Sequence, residues 1–294
     1  MLVTRQRVLR FALAILAGLV LAIAIDVAWA GGVGPWLARH RLPAPYLPAG
    51  DRIVVGDGQF YLDCRGSGSP TVVLESGAGS GASQWGAVLD PVAEATRTCA
   101  YDRAGIGGSD GRGSHTLGDS ARDLRALLEA AGEAPPYVVV GHSLGGAYAR
   151  VFAAAQRDVT AALVLLDSFD PDLQSDWVHP LLGNLGAEYE RTLDGLRATV
   201  EAWEGLEWAE SERELRAGDL AGLRIAVLAA PRHEPRLDEA TNDRIRVAWR
   251  EAFETLSPGN VTYEYAWGSG HVIPFDRPDL VIELVRRVVG DARP

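Results

Sequence analysis

The sequence predicts an α/β domain: a mostly parallel, eight-stranded sheet flanked by helices, with a helical cap inserted late in the chain. Three observations lead there. Apolar, strand-like runs alternate with segments of helical spacing along most of the chain, the pattern of parallel strands joined by crossover helices. Runs such as Tyr137–Val140 and Ala162–Leu166 are apolar at every position, as strands covered on both faces are. The alternation breaks between Ser168 and Gly222, where Trp177, Trp203 and Trp208 accompany a long acidic helical pattern from Glu188 to Glu204. That stretch is expected to be the cap, a segment of about 168–222 set between two strands.

The elements follow in order. Arg52–Val55 and Gln59–Asp63 are two short strands joined at Gly56-Asp57-Gly58, a hairpin signal. Thr71–Leu74 is a β-branched run leading into Ser76-Gly77-Ala78-Gly79, and a helix is expected over Ser83–Ala95. Arg97–Tyr101 is a strand. Over Leu117–Ala131 the spacing puts Leu117, Ala121, Leu124, Leu127 and Leu128 on one side of a helix. Tyr137–Val140 precedes a helix over Leu144–Ala155. Ala162–Leu166, Leu223–Ala229 and Val261–Tyr265 complete the strands, and a last helix falls near Leu280–Val289.

With 294 residues, 47% of them hydrophobic, the chain can bury one large core. The formal net charge of -11, with no Arg-rich run beyond the N-terminus, excludes nucleic acid as an expected partner. Arg5, Arg7 and Arg10 precede an apolar run from Phe11 to Ile25 and then Ala28-Trp29-Ala30. This describes a secretory signal peptide over residues 1–30, or an N-terminal membrane anchor if it stays uncleaved. Residues 31–50, rich in Gly and Pro, read as a linker, and 51–294 as the folded domain. An exported protein is expected, secreted or extracytoplasmic, touching membrane only through that first segment. Its two cysteines, Cys64 and Cys99, can pair in an oxidising compartment; otherwise they are buried thiols.

The chemistry centres on Gly141-His142-Ser143-Leu144-Gly145, between a Val-rich strand and a helix. Glycines there permit a sharp turn that lifts Ser143 above the sheet with a helix N-terminus behind it, the setting of a serine nucleophile. A hydroxyl needs a base. His142, adjacent in sequence, points elsewhere and is expected to pack. His40, His115, His179 and His233 have no evident partner role. His271, in Gly268-Ser269-Gly270-His271 after the last strand, is positioned to meet Ser143. No metal or nucleotide signature occurs, so no cofactor is expected.

With these motifs in place, residues from about Arg52 to Gly290 resemble the α/β-hydrolase superfamily, in its esterase, lipase and haloperoxidase-like branch. The resemblance extends to Val73-Leu74-Glu75-Ser76-Gly77-Ala78-Gly79, to Tyr101-Asp102-Arg103-Ala104-Gly105-Ile106-Gly107-Gly108-Ser109 and to Asp276-Arg277-Pro278. It departs from the family at Ser76-Gly77, where His-Gly is usual. The resemblance implies a serine hydrolase of carboxylic esters or lactones, acting on a small-molecule substrate through Ser143, an acid and His271. It implies an oxyanion hole from the Ala78 and Leu144 backbone N–H groups, a structural role for Asp102 and Arg103 in a turn, and a disulfide between Cys64 and Cys99. The acid is Asp167, closing Leu163-Val164-Leu165-Leu166, or alternatively Glu234 or Asp238 in the loop after Leu223–Ala229. Other enzymes of this scaffold (a peptidase, a lyase or a cofactor-free haloperoxidase) and a non-enzymatic exported binding protein remain as alternatives.

Overall fold

The computed structural model describes residues 48–111, 113–172 and 178–293. The expected export segment, residues 1–30, and the linker as far as residue 47 lie outside them. Among the described residues no helix is long and apolar enough to cross a membrane.

Among these residues eight strands form one sheet: β1 (Asp51–Val55), β2 (Gly58–Arg65), β3 (Thr71–Glu75), β4 (Thr98–Tyr101), β5 (Tyr137–His142), β6 (Thr160–Leu166), β7 (Arg224–Ala229) and β8 (Val261–Tyr265). Their order is β1-β2-β4-β3-β5-β6-β7-β8; β2 runs antiparallel to β1 and β4, and every pairing from β4 to β8 is parallel. Cys64 and Cys99 face each other in the β2–β4 register and are joined as a disulfide.

Helices cover both faces. They are α1 (Leu89–Ala93), α2 (Leu117–Ala130), α3 (Leu144–Ala155), α4 (Gly186–Glu204), α5 (Trp208–Ala217), α6 (Glu239–Glu254), α7 (Ile273–Asp276) and α8 (Pro278–Asp291). Alternate strand residues feed two separate cores, because successive side chains of a strand point to opposite faces. Val139, Leu163 and Leu165 pack with α2, α3 and α6, whereas Val138, Val140, Val164 and Leu166 pack with α1 and α8. This explains strands apolar at every position. Each fully buried Val or Leu contributes about 1.5–3 kcal/mol, so the central strands anchor the loops at their ends.

One helical expectation changes, and one helix is added. The single helix over Ser83–Ala95 is instead a 3₁₀ turn, Ala82–Trp85, followed by the short α1. Pro91 has no N–H to give the carbonyl four residues back, and Gly86 ends the first turn. Helix α6 is not among those the sequence predicts. Its buried Ile245, Ala248, Trp249 and Phe253 are interrupted by Arg246, Arg250 and Glu251, so the apolar stripe is narrow.

The cap lies between β6 and β7 and comprises α4 and α5. Its α4–α5 turn is held to the body by backbone bonds from the His115 N–H to the Gly205 oxygen (3.0 Å) and from the Glu207 N–H to the His115 oxygen (2.8 Å). Glu214 of α5 accepts from the Gly118 N–H (2.7 Å) and the Thr116 hydroxyl (2.8 Å), placing a carboxylate at the positive end of α2.

Candidate active site

The carboxyl ends of β3, β5, β6, β7 and β8 converge, and the chain reverses its direction of strand addition between β3 and β5. In open α/β sheets this is where ligands bind. Ser143 follows β5 with φ 53° and ψ −123°, in the left-handed region that a side chain seldom occupies. The strain is held from three sides. The Ser143 N–H donates to the Leu166 oxygen (3.0 Å), and the Ser143 carbonyl accepts from Gly146 and Phe169 (both 2.9 Å). Glycine is required beside it: a Cβ on Gly145 would lie 2.4 Å from the Glu75 and Ser76 oxygens, and one on Gly141 2.4 Å from the Gly145 oxygen.

Ser143 Oγ is 2.9 Å from His271 Nε2, and His271 Nδ1 is 2.6 Å from Asp167 Oδ2. The carboxylate can only accept, so Nδ1 carries the proton and Nε2 is left as the acceptor for the serine hydroxyl. His271 is half exposed on the loop after β8. The Asp276 carboxylate accepts from the Gly270 N–H (2.8 Å), and His142 Nε2 donates to the His271 carbonyl (2.9 Å). His142 is thus a buried support under the base. Burial lowers its pKa to about 4, since a charged imidazole there would lose its water.

Asp167, at the end of β6 with φ 39°, is 2% exposed. Its Oδ1 accepts from the Ala230 N–H and from Arg232 Nη2, each at 3.1 Å. Burial would raise its pKa, but Arg232, His271 and the Ala230 N–H together hold it below the usual carboxylate value. Arg232 lies 3.7 Å over the Trp249 ring. Nothing local in the sequence marks this guanidinium as a partner of a residue 65 positions away.

The other acids lie apart from the base. Glu234 accepts from the Arg236 N–H (3.0 Å) and Nε (2.7 Å), which bring its pKa down to about 2. Asp238 is the N-cap of α6, accepting from the Thr241 N–H at 2.7 Å. Among the other histidines, His115 is buried at the cap turn, while His179 and His233 stand near Glu190 and Glu239 on the surface. His40 is outside the described residues. Asp102 does organise a turn: it accepts from the Ala82 N–H (2.7 Å) and the Gly108 N–H (2.8 Å). Arg103 belongs to the same turn, its carbonyl accepting from the Ile106 N–H (3.0 Å), while its side chain turns inward under the loop after β3.

A cavity of about 440 Å³ opens over Ser143 and His271. Ala78 and Leu144 lie in its wall beside Ser143, and Phe169, Leu196, Val200, Trp208 and Phe275 make the rest largely apolar. Leu144 opens α3, so its N–H has no partner within the helix. Of the tryptophans expected at the cap, Trp208 lines this cavity, Trp203 is exposed, and Trp177 is outside the described residues. Among the described residues, the group with metal-ligating atom types is Cys64, Cys99 and Glu133, where both sulfurs are used by the disulfide.

A family model described as "Alpha/beta hydrolase family" matches residues 72–284. The curated relatives include the lipase LipV of Mycobacterium tuberculosis, 35% identical over 45% of this chain and 44% of its own length. The uncharacterized protein YqjL of Bacillus subtilis is 34% identical over 35% of this chain and 41% of its own. The chain therefore spans less than half the length of each. Among solved structures, an epoxide hydrolase, CorEH, superposes with a TM-score of 0.60 at 21% identity, over 83% of this chain and 99% of its own. An esterase from Thermogutta terrifontis gives a TM-score of 0.55 at 20% identity, with the same coverage of both chains. At such identities these two speak for the fold.

Proposed function

The chain belongs to the alpha/beta hydrolase family, and from that premise we propose that it is a serine hydrolase of carboxylic esters or lactones. The observation that carries the reading is the hydrogen-bonded line from Ser143 Oγ through His271 to Asp167, set on a strained turn at the mouth of an apolar cavity.

In this reading Ser143 Oγ attacks the substrate carbonyl as His271 Nε2 takes its proton. Asp167 keeps Nδ1 protonated and stabilises the imidazolium that forms. The Ala78 and Leu144 N–H groups receive the negative charge developing on the carbonyl oxygen. His271 then protonates the departing alcohol, and a water deprotonated by the same nitrogen releases the acyl group from Ser143. A serine at the turn supports acyl transfer over the epoxide hydrolysis named for the neighbour CorEH, whose chemistry calls for a carboxylate nucleophile. The apolar wall suits a neutral acyl or alkyl group. The disulfide is compatible with an extracytoplasmic site of action, in keeping with the export segment expected from the sequence.

A fluorophosphonate probe tests the reading directly. The protein is expected to be labelled and to hydrolyse p-nitrophenyl esters, and Ser143→Ala and His271→Ala each to abolish both. A folded wild-type protein that stays unlabelled and inert towards esters and lactones overturns it in favour of a binding protein.

A further inference from the structure

Arg103 is 3% exposed, and its guanidinium divides its bonds between the loop after β3 and the cap. Towards the loop, Nη1 donates to the Ser76 oxygen (2.6 Å) and Nη2 to the Gly77 oxygen (2.9 Å); Nη1 also meets Glu75 Oε1 (2.7 Å). Towards the cap, Nε and Nη2 reach Glu204, the last residue of α4, at 3.0–3.1 Å. Glu204 is itself buried and accepts from the Gly79 N–H (2.5 Å) and the Tyr148 hydroxyl (3.3 Å).

We infer that Arg103 and Glu204 form a clasp that aims the Ala78 N–H, so that the oxyanion site is complete only when the cap is seated. The reasoning is stereochemical. The Gly77 carbonyl and the Ala78 N–H belong to one planar trans peptide and point in opposite directions. Holding the Gly77 oxygen against Arg103, with the Ser80 N–H (3.2 Å) on the same oxygen, therefore turns the Ala78 N–H the other way. The next peptide is fixed in the same manner, because Glu204 holds its N–H at Gly79. Ala78 is pinned from both sides, and its own N–H remains for a ligand. Glu75 also faces Arg103, but it belongs to β3 and stays with the sheet; Glu204 is the member supplied by the cap. The last turn of α4 is close by otherwise: a Cβ on Gly79 would lie 3.3 Å from the Trp203 ring. Both are positioning residues for the proposed reaction, on which this inference rests.

The test is Glu204→Gln, which keeps the shape but removes the charge facing Arg103, with Arg103→Lys beside it. Glu133→Gln, which weakens the ion pair to Arg97 at the amino-terminal end of β4, opposite the end that leads to Arg103, serves as a control for stability alone. Three quantities are read: kcat and KM on a p-nitrophenyl ester, affinity for an aryl boronic acid, and amide hydrogen exchange of the 76–81 peptide. The boronic acid forms a tetrahedral adduct on the serine that loads the oxyanion site. Glu204→Gln and Arg103→Lys are expected to lower kcat and boronate affinity together by about tenfold or more, with KM within about twofold. Exchange at residues 76–81 should rise. The control should lower the melting temperature and leave the rest unchanged. Unchanged kcat, boronate affinity and exchange in Glu204→Gln overturn the clasp, as does a rise in KM alone. A wild type inert to ester and boronate overturns the hydrolase reading, and exchange at 76–81 then still decides whether the clasp holds the loop.

Discussion

At the scale of single residues, the site is a chain of obligations passed between neighbours. Asp167 can stay charged in a nearly dry position because Arg232 and the Ala230 N–H take one oxygen while His271 takes the other. Asp167→Asn is accordingly expected to lower kcat by about 10³–10⁴-fold with a modest change in KM, since an amide can favour the wrong imidazole tautomer. Glu234→Gln, at a carboxylate occupied by Arg236, should leave turnover within about twofold. Steady-state kinetics on one ester settles the pair, and retained turnover in Asp167→Asn would sink the assignment. The sequence made Ser143 and His271 legible because each sits in a local glycine pattern with its own stereochemical reason. The choice between Asp167 and Glu234 stayed open because it turns on which of two loops bends towards the imidazole. Arg103 was legible only as a member of the Tyr101–Ser109 motif and Arg232 left no local trace, as their side-chain partners lie far along the chain.

At the scale of elements, strands read more clearly than helices. The continuous apolar runs of β3, β5, β6 and β7 are forced by burial on both faces, and that signal survives without any tertiary information. Helix α6 escaped because one narrow stripe of large side chains suffices to seat it, and the charged residues between them mask the period. Helix α2 shows how an element's end can belong to two parts of the fold. Thr116 and Asp119 form a reciprocal capping box there, while the Thr116 hydroxyl also donates to Glu214 of the cap. Thr116→Ala is expected to cost about 1 kcal/mol in global stability by denaturant titration. It should also increase amide exchange in α5, because the cap loses one of its tethers. Exchange confined to α2 would show the tether to be idle.

At the scale of the whole molecule, stability depends on a histidine that stays uncharged. His142 has its pKa lowered to about 4 in the folded chain, whereas in the unfolded chain it titrates near 6.5. The unfolded state therefore takes up the proton first. Stability from this group is fully present above pH 6.5 and drains away as pH falls towards 4, by about 3 kcal/mol over that window. Thermal unfolding from pH 7.5 to 4 should show this slope, and His142→Gln, which can still donate to the His271 carbonyl, should flatten it. Parallel curves for the two proteins would refute the attribution. The joint between cap and body bears on how such a fold can be remodelled. A cap grafted from a relative onto this scaffold would arrive with its own helix ending. Unless that ending delivers a carboxylate over Gly79, the recipient keeps a guanidinium in a dry pocket with half its partners gone. Chimaeras that exchange the whole insertion should thus fold better when that one side chain is transplanted with it, before any question of substrate fit arises.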